Sequence, residues 1–370
     1  MNLKKKITAA VAATALGVSL TLGTPVASAG KAETIIGVGS ILIGASQQNA
    51  QLNKMIRHYD ESEQGRQELF DAFKQKYGVS QNSAYKERLD RIMANLTKGV
   101  AAVDPTIKEK PYIYFVSAQT SVNAACSMGH VMMVNEGTFN QITSEDEIAA
   151  IVGHEMGHGQ RSHVAKGNKK VLQKQVIASL AGTAVGSAIG GGQLTSIIAG
   201  LAFNHSVAHG SRKYETEADM LGFDYMTHTN YNPGACAAVM QKFVELEGNS
   251  KRSDLEKVFL PSDHPDSAKR RDAYVQKLFE YSGKHVTAKD GIITVNNKTL
   301  IKVAASDTMS SAERSYFVLG NLAAAYHNGQ NKPEATVQNG TVMLGNQPII
   351  SPLSGDEDAY TIAERLNSIK

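Results

Sequence analysis

The chain has 370 residues, 42% hydrophobic and 20% charged, with 9 Pro and 32 Gly, a balance that excludes a disordered or collagen-like protein. The formal charge is +3, and Lys4, Lys5 and Lys6 account for all of it. From Gly30 onward basic and acidic residues balance, so no nucleic-acid partner is expected.

Lys4–Lys6, the uncharged stretch Ile7–Gly23 and Pro25-Val26-Ala27-Ser28-Ala29 have the three parts of an export signal over 1–29. A periplasmic or other extracytoplasmic location is therefore expected; an uncleaved anchor is the alternative, against which the apolar region is short. Cys126 and Cys236 could pair in such a compartment or stay buried as thiols. Thr34–Ala50 carries no charge but is too short and Gly-rich for a membrane span, so it either packs on the body or lies on a membrane surface. From Gln51 to Val103 the pattern is helical and polar, with Leu69-Phe70-Phe73 and Leu89-Ile92-Met93-Leu96 at three- and four-residue spacing. Asp104-Pro105 ends that run.

Tyr112–Val116 and Val131–Val134 read as buried strands. A helix is expected from Ser144, with Glu147 three residues on as its capping-box partner. Val176–Asn204 is charge-free and split by Gly190-Gly191-Gly192. Two small-residue helices forming a core hairpin or a cover for the active site are expected there, with peripheral membrane association as the alternative. After about 285 the character changes. Residues 290–301 read as a hairpin, and 339–350 repeat it with Gly291/Gly340 and Asn297/Asn346 at matching positions. Each is followed by a helical run, Ala312–Tyr326 and Asp358–Ile369. A duplicated hairpin–helix unit over 285–370 is expected to close on itself or dock on the body.

The chemistry is concentrated in His154-Glu155-Met156-Gly157-His158. On a helix, His154 and His158 share a face and can aim two imidazoles at one ion, while Glu155 projects to the side as a general base toward water. A catalytic zinc needs a third protein ligand and an open fourth position. Glu215 and Asp219, again four residues apart, are the best candidates; one can ligate while the other orients a ligand, and Glu217 points elsewhere. No Ser nucleophile elbow is present or needed, because a metal-activated water attacks without a covalent intermediate.

These segments together resemble the zinc metallopeptidase family that includes the CAAX prenyl protease and the HtpX-like proteases. The resemblance rests on Asn123–His130 with the strand behind it, Asp146–His158, Ser211-Arg212-x-x-Glu215-x-x-Ala218-Asp219, Tyr231-Asn232-Pro233, and His264-Pro265-x-x-x-x-Arg270. It covers about 85–280. It implies an α+β fold: a mainly helical zincin-type domain over 30–284, with a small sheet beside the metal helix. It implies one zinc ion on His154, His158 and Glu215, with Glu155 as the catalytic base. His264 is then a second catalytic candidate, either holding the developing oxyanion or blocking the metal. Asp219, Arg212 and Arg270 would support the ligands, the arginines by pairing with local carboxylates. Asn123, Ala124, Gly129 and His130 would meet substrate, through main-chain pairing along the strand after Gly129. Ala125, Met128 and His130 stand where that family usually has Phe, Pro and Gly, which bears on substrate preference rather than the metal. His163 reads as structural. The expected activity is hydrolysis of unfolded or misassembled envelope proteins. The alternative is a chaperone or scaffold with a closed, self-inhibited metal site.

Overall fold

The computed structural model describes residues 49–50, 53–170, 212–248 and 267–370. The export signal, most of Thr34–Ala50, the charge-free Val176–Asn204 and His264 lie outside the described residues. Among those described, no helix is long and apolar enough to cross a membrane.

The N-terminal third is helical, as its periodicity requires. A helix over 53–61 leads into α1 (Glu63–Tyr77), whose N-cap Ser62 accepts from Gly65 N. Helix α2 (Ser83–Val103) is capped by Asn82 and buries Leu89, Ile92, Met93, Leu96 and Val100 along one stripe. Asp104 closes α2, and its carboxylate caps the short turn that begins at Pro105.

Three strands follow: β1 (Ile113–Ser117), β2 (Ala124–Cys126) and β3 (Val131–Asn135). Their order is β1-β3-β2, with β1 parallel and β2 antiparallel to β3. The strand after Gly129 is therefore the central one, with both edges paired, and β1 and β2 are the edge strands among the described residues. After the short α3 (Glu136–Gln141) comes α4 (Glu145–Gln160), which carries the His-Glu pair. Ser144 caps α4 by accepting from Glu147 N. The Glu147 side chain does not reach back to complete a capping box. It is buried against Lys242 and Glu313, and that burial raises its pKa to about 8, with Lys242 opposing and Glu313 adding to the rise.

Helices α5 (Arg212–Thr227) and α6 (Ala235–Gly248) pack on α4, and α7 (Ser267–Tyr281) packs on α6. Where α4 crosses α5 the side chains are small. A Cβ on Gly157 would sit 2.9 Å from Ala218 O, and one on Gly222 would sit 2.9 Å from His154 N. That close approach lets the short side chains of α5 reach the imidazoles of α4.

The C-terminal region has two three-stranded antiparallel sheets where the sequence suggested two hairpins. Strands β4 (Val286–Lys289), β5 (Ile292–Val295) and β6 (Lys298–Lys302) precede α8 (Ser311–His327). Strands β7 (Ala335–Gln338), β8 (Thr341–Leu344) and β9 (Gln347–Ile350) precede α9 (Ala359–Ile369). Asn296 and Asn297 join β5 to β6 with φ of 50° and 64°, the paired left-handed conformation of a tight hairpin turn. Helix α8 packs on β4, β5 and β9, whereas α9 packs on β7, β8 and β6. One large core runs without a break from Leu89 in α2 to Leu366 in α9. Asn232, between α5 and α6, ties the two regions together. Its N–H donates to Asp146 Oδ1 at 3.1 Å and its amide to Phe317 O at 2.9 Å. Cys126 and Cys236 are both buried free thiols.

Candidate active site

Helix α4 presents His154 and His158 on one face, and α5 brings Glu215 opposite them; all three are buried. The two Nε2 atoms are 3.2 Å apart. The Glu215 carboxylate stands 3.6 Å from His154 Nε2 and 3.3 Å from His158 Nε2. Among the described residues these three form the group of His, Cys, Asp and Glu side chains close enough to share an ion. A tetrahedral zinc with bonds of about 2.0–2.1 Å needs ligand atoms about 3.3–3.4 Å apart. The donor triangle matches one face of such a tetrahedron, so these three described residues fit the metal.

A buried network fixes His154. Its Nδ1 lies 2.9 Å from Asp219 Oδ1 and 3.2 Å from Arg270 Nη2; the tautomer with the proton on Nδ1, donated to Asp219, is the one that leaves the Nε2 lone pair for a metal. Asp219 also accepts from Arg270 at 2.6 and 2.9 Å and from the Tyr274 hydroxyl at 2.8 Å. Burial alone would raise the Asp219 pKa, but the Arg270 guanidinium and His154 hold it well below the usual carboxylate range. Burial and the Asp219 charge push the Tyr274 hydroxyl well up, so it stays a donor. Arg212, by contrast, is exposed at the start of α5 and is not brought to this network.

Glu155 is nine-tenths buried or more and is tethered by the sheet. Asn123 O and Ser127 N bond to β3, so the backbone groups of Ala124 and Cys126 face outward from β2. The outward Cys126 N–H donates to Glu155 Oε2 at 2.9 Å. An apolar recess opens beside Glu155 and His154, lined by Val122, Ala124, Ile151, Val239, Met240 and Phe243. Asn123 and Ala124 border this recess.

Gly129 and His130 are placed elsewhere. The Gly129 N–H donates to Asp60 Oδ1 at 2.9 Å and its carbonyl accepts from Arg66 Nε at 2.5 Å. His130 stacks on Tyr112 at 4.4 Å, and its ring bonds to Lys110 O at 2.7 Å. Burial, with nearby Lys110, lowers the His130 pKa to about 4. Their main-chain and ring contacts are filled by the N-terminal helices and the loop before β1, and neither borders the recess. Three contributors escaped the sequence: the Cys126 amide that holds Glu155, Tyr274 on Asp219, and His163, which lies against His158.

The chain matches the model of peptidase family M48 over residues 83–276. It belongs to peptidase family M48. It is 30% identical over 189 residues to "Metalloprotease LoiP" of Escherichia coli, covering 51% of this chain and 69% of the relative. It is 29% identical over 164 residues to "Mitochondrial metalloendopeptidase OMA1" of Arabidopsis thaliana, covering 42% of this chain and 29% of that one. It is 25% identical over 157 residues to the "Putative beta-barrel assembly-enhancing protease" of Vibrio cholerae, covering 40% and 31%. The match thus spans less than a third of the last two proteins. As an M48 peptidase the chain is a zinc-dependent metalloendopeptidase whose substrates are polypeptides.

Proposed function

We propose that the chain is an extracytoplasmic zinc endopeptidase that cleaves extended segments of unfolded or misassembled envelope proteins. One ion per chain would be held by His154, His158 and Glu215. The observation that carries this reading is the donor triangle beside the edge strand β2, with Glu155 anchored between them. The export-signal pattern over 1–29 and the likeness to a protease named for β-barrel assembly support the envelope assignment.

Zinc bound at the triangle supplies Lewis acidity, polarising a scissile carbonyl and making water acidic near neutral pH. Glu155 Oε2 is held by the Cys126 amide, which leaves Oε1 to take a proton from the attacking water and pass it to the leaving amine. Asp219 keeps the Nδ1 proton of His154 in place throughout. The outward N–H and C=O of Ala124 can pair with an extended substrate, a mode that favours unfolded over folded proteins. The recess beside His154 then receives an apolar side chain of that substrate. His264, for which the family pattern implies a role near the reacting carbonyl, is kept as a candidate on that ground alone.

We read 30–284 as the peptidase domain and 285–370 as a module built from two copies of one β-β-β-α unit. The bulges at Ile293/Thr294 and at Val342/Met343 fall at equivalent positions of the repeat and support the duplication. A scaffold with a closed metal site is the competing reading; it has no use for a buried Glu155 oriented by a dedicated amide. Glu155→Gln separates the two. Loss of casein cleavage by at least ~100-fold with zinc content unchanged supports the peptidase. Unchanged cleavage refutes it.

A further inference from the structure

The two metal imidazoles differ in what holds them. His154 has the Asp219 carboxylate at Nδ1. His158 has another imidazole: His163 Nδ1 lies 3.1 Å from His158 Nδ1. The far nitrogen of that ring, His163 Nε2, lies 3.3 Å from Glu217 Oε2. We propose that His163 and Glu217 are positioning residues for His158, a relay that gives the second metal imidazole the anionic acceptor that Asp219 gives the first. This rests on His158 being a metal ligand, as proposed above.

The tautomers follow from one another. A His158 that offers its Nε2 lone pair to a metal carries its proton on Nδ1. His163 Nδ1 must then accept, so the His163 proton sits on Nε2 and is donated to Glu217. Each contact has one donor and one acceptor, and the negative charge ends on a carboxylate. Arg161 Nε holds the other oxygen of that carboxylate at 3.2 Å. Tyr214 stacks on His163 at 4.2 Å and 13°, which fixes the plane of the ring. The chain path explains why spacing hid this. A helix continued past His158 would carry His163 off the ligand face. Instead α4 ends at Gln160, Ser162 takes φ of 47°, and the chain folds His163 back onto the His158 ring. Ser162 Oγ donates to Asp60 Oδ2 at 3.2 Å and anchors that turn.

The test measures zinc affinity by chelator competition, and the visible spectrum of the cobalt-substituted protein, in the full chain. His163→Ala is expected to weaken zinc binding about 10–100-fold and to change the cobalt ligand-field bands. His163→Asn places an amide oxygen where Nδ1 was and is expected to recover part of the affinity. Glu217→Gln is expected to weaken binding in the native background but to add nothing to His163→Asn, because the link is then already cut. Unchanged affinity and spectra in both His163→Ala and Glu217→Gln would overturn the relay and leave His163 a packing residue. If His163→Ala fails to fold, half-exposed Glu217 decides the matter: native zinc affinity in Glu217→Gln overturns the proposal. His158→Ala is the control for the underlying site. Should that variant bind zinc as the native chain does, the ligand assignment itself fails, a result distinct from failure of the relay.

Discussion

Replacing Asp219 with alanine strikes stability and metal binding by separate routes. The carboxylate is buried and accepts from His154, Arg270 and Tyr274. Without it the buried Arg270 guanidinium has lost its counter-charge, a loss of about 3–5 kcal/mol by analogy with other broken buried pairs. The Tyr274 hydroxyl loses its acceptor as well, adding about 1 kcal/mol. His154 meanwhile loses the group that fixes its tautomer, which lowers metal affinity about 10–100-fold. Urea unfolding of chelator-treated protein reads the first effect, and chelator competition reads the second. The double variant Asp219→Leu/Arg270→Met separates them. With the charge pair replaced by apolar side chains, most of the apoprotein stability is expected to return while zinc affinity stays low. A single variant that loses less than ~1 kcal/mol, or a double variant with native zinc affinity, would refute this assignment of roles.

Three further outcomes are expected. Gly222→Ala places a methyl 2.9 Å from the His154 backbone nitrogen, so α4 and α5 must separate; stability should fall about 1–3 kcal/mol, and zinc affinity with it. Ala124→Pro removes an outward N–H without touching the β2–β3 ladder; kcat/KM for unfolded substrates should drop about 3–10-fold with the melting temperature nearly unchanged, measured by casein or peptide cleavage. The pKa of buried His130 lies at about 4 against an ordinary 6.5, so the unfolded chain binds the proton more readily. Its contribution is fully present above 6.5 and is lost as pH falls toward 4. In chelator, native protein should therefore lose stability relative to His130→Phe across that window, with a limiting slope of about 1.4 kcal/mol per pH unit. Parallel stability–pH curves would refute the burial argument.

The metal triangle was legible because helical spacing alone puts His154 and His158 on one face, and the same spacing repeats at Glu215 and Asp219. Asp219 could be named for the same reason and Arg270 from the family resemblance, although not that they would pair with each other and with Tyr274. Substrate contacts were harder. Strand order is set by three-dimensional pairing, so the sequence could not tell that β3 is central and that β2 is an edge strand. Gly129 and His130 looked available because the groups that saturate them, Asp60, Arg66 and Lys110, sit far away in the chain. In the C-terminal region, Asp290-Gly291 and Asn339-Gly340 read as the start of a hairpin. They are the turns between the first and second strands, and the first strands, β4 and β7, are short enough to pass for loop. Glu147 was expected to close a capping box, but its burial beside Lys242 and Glu313 outweighs a local bond to the N-cap.

Anomalous diffraction at the zinc edge from crystals of the full chain tests the ligand assignment most directly. One strong peak within about 2.0–2.2 Å of His154 Nε2, His158 Nε2 and a Glu215 oxygen is the result required. A peak bound elsewhere, or one at which Glu215 is replaced by another side chain, would contradict it.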